Sequence, residues 1–149
     1  MFFETLSFHF CNNWKSSNGL TFGIVLFRSI NVSNGGTCAV GSDSGVVNVY
    51  EGGAGAGAPK KAIMNLTTKI DRLCFNQAGS ILAMSSSMKR DSLRLVHVGT
   101  KTVFSNWPTS KTPLHYVHCT AFSSGSGYLA VGNARGKVLL YRLPHFDEC

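Results

Sequence analysis

Ser42-Asp43-Ser44-Gly45, the pair His115 and His118, the glycine run Gly52 to Gly57 and five cysteines are where this 149-residue chain could do chemistry. The first run shares residue types with the serine-protease string Gly-Asp-Ser-Gly-Gly, but their order differs, and a four-residue hairpin turn with Gly at its left-handed end already accounts for it. Histidines are good metal ligands, yet alternation along a strand puts residues three apart on opposite faces, and no third ligand is near. The glycines of Gly52 to Gly57 do not follow a strand and open a helix with Lys and Ser or Thr, as a phosphate-binding loop does. Cys11, Cys38, Cys74, Cys119 and Cys149 are odd in number and form no Cys-x-x-Cys pair, so neither a zinc site nor a disulfide framework is indicated, and a reducing compartment is expected. Asn31-Val-Ser and Asn65-Leu-Thr match the glycosylation sequon but carry little weight in such a compartment. No catalytic residue, metal site, cofactor or small-molecule substrate is therefore expected, and the chain reads as a protein that is not an enzyme.

Charge points to binding instead. The chain has 14 Lys and Arg against 7 Asp and Glu, a formal charge of +7, and from Gly52 to Arg142 twelve basic residues face only Asp71 and Asp91. Such a surface favours polyanions: RNA, anionic lipid headgroups or acidic protein tails. Lys89, Arg90, Arg135 and Lys137 fall in equivalent turn regions of the repeat described next, and are expected to form one basic arc for RNA phosphates or an acidic partner. Phe104 and Trp107 could stack a base, but packing against a neighbour is the expected role.

The elements that must carry these residues read as β structure. With 44% hydrophobic residues, 14% charged and 16 glycines, the chain can bury a core and tilts away from a helical bundle. No apolar run reaches the ~18 residues of a spanning helix, and the first thirty residues lack the basic start of a signal peptide, so no membrane partner is expected. Cys38 to Tyr50 (CAVGSDSGVVNVY) aligns without a gap on Leu129 to Tyr141 (LAVGNARGKVLLY), with six of thirteen positions identical. Phe75 to Ala83 matches Phe122 to Ala130 at a period of 47 residues. Each copy predicts an inner strand (Ile70–Phe75, Val117–Phe122), a buried strand (Ile81–Met84, Tyr128–Val131), a tight hairpin (Ser42–Gly45, Asn133–Gly136), a third strand (Val46–Tyr50, Val138–Arg142) and an outer strand (Ala62–Leu66, Thr102–Asn106). Ala39, Gly41, Ala83, Ala130 and Gly132 are small enough for neighbouring sheets to pack closely. Four short antiparallel strands per ~45 residues make a β-propeller blade.

The pattern F-x-x-x-G-x-x-L-A-x-G-x-x-x-G-x-V-x-x-Y, fullest from Phe122 onward, resembles the WD40 repeat, although no Trp-Asp dipeptide is present. More specifically, GVVNVY (Gly45–Tyr50), KAIMNLTT (Lys61–Thr68), LCFNQAGSILAMSS (Leu73–Ser86), LRLVHV (Leu93–Val98), TVFSNWP (Thr102–Pro108) and GYLAVGNARGKVLLYRL (Gly127–Leu143) resemble the C-terminal blades of the U3 small nucleolar RNA-associated protein 18 family. The resemblance covers about Val32 to Phe146. It implies a nucleolar WD40 scaffold in the UTP-B subcomplex of the small-subunit processome, acting in pre-rRNA processing and 18S rRNA production. The partners it implies are other UTP-B and processome WD40 subunits, the U3 snoRNP and pre-rRNA. That family is several times longer, with a full propeller behind an N-terminal extension that nothing here matches.

The expected architecture is all-β: a partial WD40 propeller of about two to two and a half blades, a fragment of a larger ring. Residues 1–30 read as a divergent non-repeat segment, 31–68 as a partial blade without a recognisable inner strand, 69–107 as a blade, and 108–149 as a blade lacking its outer strand. Gly52 to Pro59 is expected to be a mobile loop. The alternative to the ribosome-assembly reading is a generic WD40 protein-interaction adaptor with no RNA role.

Overall fold

Short runs of Val, Ile, Leu and Phe, broken by Gly, Ser, Asn and Asp turns, form eleven strands in the computed structural model, which describes residues 27–52 and 58–144. Every neighbouring pair is antiparallel, and the strands fall into three sheets in chain order. The first holds β1 (Phe27–Val32), β2 (Cys38–Ser42), β3 (Val47–Tyr50) and β4 (Lys61–Ile63). The second holds β5 (Arg72–Phe75), β6 (Ile81–Ser85), β7 (Leu93–His97) and β8 (Thr102–Val103). The third has β9 (Val117–Phe122), β10 (Tyr128–Asn133) and β11 (Val138–Arg142), with no outer strand among the described residues. The first strands of successive sheets touch, β1 against β5 and β5 against β9, as inner strands do around a propeller axis. The fold is all-β, a partial β-propeller.

Packing explains why the sheets stack. Strand β6 is buried along its whole length because both of its faces meet a neighbouring blade. Leu82 and Met84 join Ala39, Val47, Val49 and Ile70 in a core between the first and second blades; Ile81 and Ala83 join Leu95, Val117, Leu129 and Val131 between the second and third. Each fully buried aliphatic side chain contributes about 1.5–3 kcal/mol of burial. Close approach depends on the expected small residues: a Cβ at Gly41 would stand 2.6 Å from Ile70 Cγ2 and 2.6 Å from Ser29 Oγ.

Two features differ from expectation, and a third lies mostly beyond the described residues. The first blade has an inner strand after all, β1, which begins at Phe27 and so crosses the boundary drawn at residue 30. Its polarity hid it. Ser29 and Asn31 bond the second blade through Ser29 Oγ–Ile70 O (3.0 Å) and Phe75 N–Asn31 Oδ1 (3.4 Å), while Ile30 and Val32 are exposed. The described sheets therefore amount to two complete blades and a three-stranded one. The outer strands start within one residue of expectation but end early, at Ile63 and Val103, because each has a partner on one side only. The expected mobility at Gly52 to Pro59 falls mainly on residues 53–57, outside the described residues.

Candidate functional site

Because each blade runs up and down, the hairpins β2–β3, β6–β7 and β10–β11 emerge at one end of the sheets, together with the connections β4–β5 and β8–β9. The two tight hairpins are built alike. Ser42 Oγ accepts from Val46 N (3.1 Å) in the first blade; Asn133 Oδ1, at the aligned position, accepts from Arg135 N (3.0 Å) and Lys137 N (3.2 Å). Gly45 and Gly136 close these turns at φ +86° and +69°. Ser42 is buried and its hydroxyl also lies 2.8 Å from Ser44 Oγ, so the Ser-Asp-Ser-Gly run is a turn.

The longer β6–β7 hairpin needs support from outside. Asp71, in the connection before β5, accepts from Ser87 N (2.9 Å) and Ser87 Oγ (2.6 Å) and pairs with Lys69 at 3.2 Å. Burial alone would raise its pKa, but the bonds from Ser87 and then Lys69 outweigh burial and hold the carboxyl below its ordinary value. At the far end of the hairpin, Asp91 and His115 are clasped reciprocally across two blades: Asp91 N donates to His115 O (2.8 Å), and His115 N donates to Asp91 Oδ1 (2.8 Å). Both residues sit at positive φ, +56° and +60°. Ala134 N donates to Tyr116 O (3.0 Å), tying the third hairpin to the same segment.

This joint brings three loops around an open cleft of about 390 Å³, bordered by Arg90, Asp91, Lys111, His115, Arg135 and Lys137. Three members of the expected arc, Arg90, Arg135 and Lys137, thus meet in space; Lys89 is exposed on the same hairpin but does not border the cleft. Sequence spacing does not bring Lys111 and His115 to this face, since they come from a connection whose placement depends on the Asp91 bridge. The imidazole Nδ1 of His115 is buried without a hydrogen-bond partner, and the ring packs edge-on to Tyr116 at 5.0 Å. Burial first, then the charges of Arg135 and Arg90, lower its pKa against the opposing pull of Asp91.

None of the other candidates borders this cleft. His118 lies within β9 whereas His115 precedes it, and no group of three metal-ligating side chains occurs among the described residues. Cys38, Cys74 and Cys119 are free thiols, with burial pushing those of Cys38 and Cys74 up. Trp107 packs edge-on to Tyr141 at 4.9 Å, and both it and Phe104 lie against the second core. No helix among the described residues is long and apolar enough to cross a membrane.

No family model matches the chain. Curated relatives do: it is 47% identical over 133 residues to the U3 small nucleolar RNA-associated protein 18 homolog of Arabidopsis thaliana, covering 87% of this chain and 24% of that protein. It is 49% identical over 112 residues to U3 small nucleolar RNA-associated protein 18 of Saccharomyces cerevisiae (72% and 19%), and 41% identical over 143 residues to the human homolog (93% and 25%). The chain spans about a quarter of the length of these relatives.

Proposed function

From a chain homologous to part of U3 small nucleolar RNA-associated protein 18, we propose a non-catalytic WD40 scaffold that acts in pre-rRNA processing and small ribosomal subunit assembly in the nucleolus. The observation that carries this is identity of 41–49% with relatives named for association with U3 small nucleolar RNA. In support of a scaffold, the two tight hairpins carry their own side-chain caps, the Ser42 hydroxyl serves a turn, and the His115 backbone serves a joint between blades. Its partners in this reading are other processome WD40 subunits, those of UTP-B included, together with the U3 snoRNP and pre-rRNA.

The test is association and consequence in cells. Affinity-tagged protein is expected to locate to the nucleolus and recover U3 small nucleolar RNA well above an unrelated control, and its depletion to accumulate 18S precursors. Recovery at control level with normal 18S maturation would overturn the reading. A purely protein-binding adaptor would instead bring down protein partners without any RNA dependence.

A further inference from the structure

We propose that the cleft between the second and third blades is a phosphate-binding site that takes the backbone of single-stranded RNA, with Arg90, Lys111, Arg135 and Lys137 pairing to phosphates and the Asp91–His115 clasp positioning them. This rests on the pre-rRNA reading above and assigns the contact to one place. Four cations from three loops border the cleft against one carboxylate, and that carboxylate accepts from the His115 backbone N–H at 2.8 Å. The apolar residues of the border are Pro113 and Leu139, and no Phe, Tyr or Trp lines it. The same cations would pair with the carboxylates of an acidic peptide, but the cleft gives that peptide no apolar pocket for its other side chains, and it gives a base no large aromatic platform. What remains is charge and donor geometry, which suit phosphodiesters read without regard to sequence.

His115 adds a second observation. Its Nδ1 is buried and unpartnered; the charges acting on the ring are Arg90 and Asp91 from the β6–β7 hairpin and Arg135 from the β10–β11 hairpin, while Lys111 and Lys137 border the same cleft and the Tyr116 ring packs against it. Burial first, and then the cations Arg135 and Arg90, disfavour an imidazolium; a phosphate seated among those cations offsets the second of these. Occupancy therefore takes up a proton at His115, and affinity rises as pH falls.

The experiment is fluorescence anisotropy of a labelled oligouridylate with the full 149-residue chain, with oligoglutamate of equal charge and inorganic phosphate as competitors. Four phosphate contacts to a single strand predict a slope of log K against log salt of about −3. The double variant Arg90→Ala/Arg135→Ala is expected to flatten it by about 1.4 and weaken binding at least tenfold at low salt, whereas Lys61→Ala on β4 changes little. Binding should tighten from pH 8 to pH 6 and lose that trend in His115→Asn, a positioning variant whose circular dichroism should match the parent chain. Inorganic phosphate should compete only weakly; competition as strong as that of unlabelled RNA would reassign the site to free phosphate. The proposal is overturned by an unchanged salt slope in the double variant, by an equal loss in Lys61→Ala, or by equal competition from oligoglutamate, which would make an acidic protein segment the occupant. Normal recovery of U3 small nucleolar RNA by the double variant, together with any of these failures, would discard the cleft and leave the scaffold reading standing.

Discussion

Asp71 shows how a single carboxylate can hold a long hairpin. Its two bonds from Ser87 and the Lys69 pair outweigh burial and depress its pKa, so it contributes stability while ionised. Since the folded pKa lies below the unfolded one, near 4, that contribution is present above pH ~4 and lost as pH falls through the folded value. Asp71→Ala is expected to cost about 2 kcal/mol at neutral pH in urea denaturation. The deficit should shrink toward zero on acidification; one that stays constant with pH would show that the carboxylate charge is not what holds the hairpin. At this scale the sequence was uneven as a guide. The turns at Ser42–Gly45 and Asn133–Gly136 were legible because their glycines and polar residues act locally, whereas the clasp of Asp91 with His115 joins residues 24 apart and has no local signature.

Between elements, the joints decide whether blades stack. Gly41 lies on β2 where Ile70 and Ser29 leave no room for a methyl, and Ile70 is both fully buried and bonded through its N–H to Ser42 O at 2.9 Å. Gly41→Ala should cost about 1–3 kcal/mol, read as a lowered midpoint; a change under ~0.5 kcal/mol would mean the first and second blades are not tightly seated there. On the opposite end of the sheets, buried Asn76 accepts from Ile81 N (2.8 Å) and donates to Ser126 Oγ of the third blade (3.1 Å). Asn76→Ala orphans the Ile81 amide and takes a donor from the hydroxyls of Ser80 and Ser126, and should cost about 1–3 kcal/mol in the same denaturation assay. A double-mutant cycle with Ser126→Ala should show coupling, and additive losses would deny the bridge between blades. Strands β9 and β11 were legible to the residue because their repeat copies align, and β3 and β6 to within one. β1 was not, since its polar side chains face the neighbouring blade. The cleft was legible in part: alignment put Lys89, Arg90, Arg135 and Lys137 on one face, of which all but Lys89 border it, and only the fold of the β8–β9 connection adds Lys111 and His115.

For the whole molecule, what matters is that the three blades are not equally covered. The second is enclosed by the first and third, so β6 exposes neither face, while Val138 and Leu140 on β11 are 73% and 67% exposed with Tyr128 beside them. Pairing of Tyr128 with Arg142, Ala130 with Leu140 and Gly132 with Val138 puts these side chains on one face, continuous with Ala121 and Cys119 of β9. A propeller closes only when each such face meets another blade, and closure takes four to eight blades. An exposed apolar face of this kind drives association, and an unpaired edge strand templates it. The 149-residue chain should therefore self-associate with rising concentration in light scattering, and Val138→Lys/Leu140→Lys should return it toward the monomer without altering its circular dichroism. Hydrogen exchange should follow the same gradient, slowest at β6 and fastest at β11, because protection tracks burial and pairing on both sides. Protection of β11 equal to that of β6, together with a monomer at high concentration, would mean that this face is covered in solution and that the third blade is not the open side of the molecule.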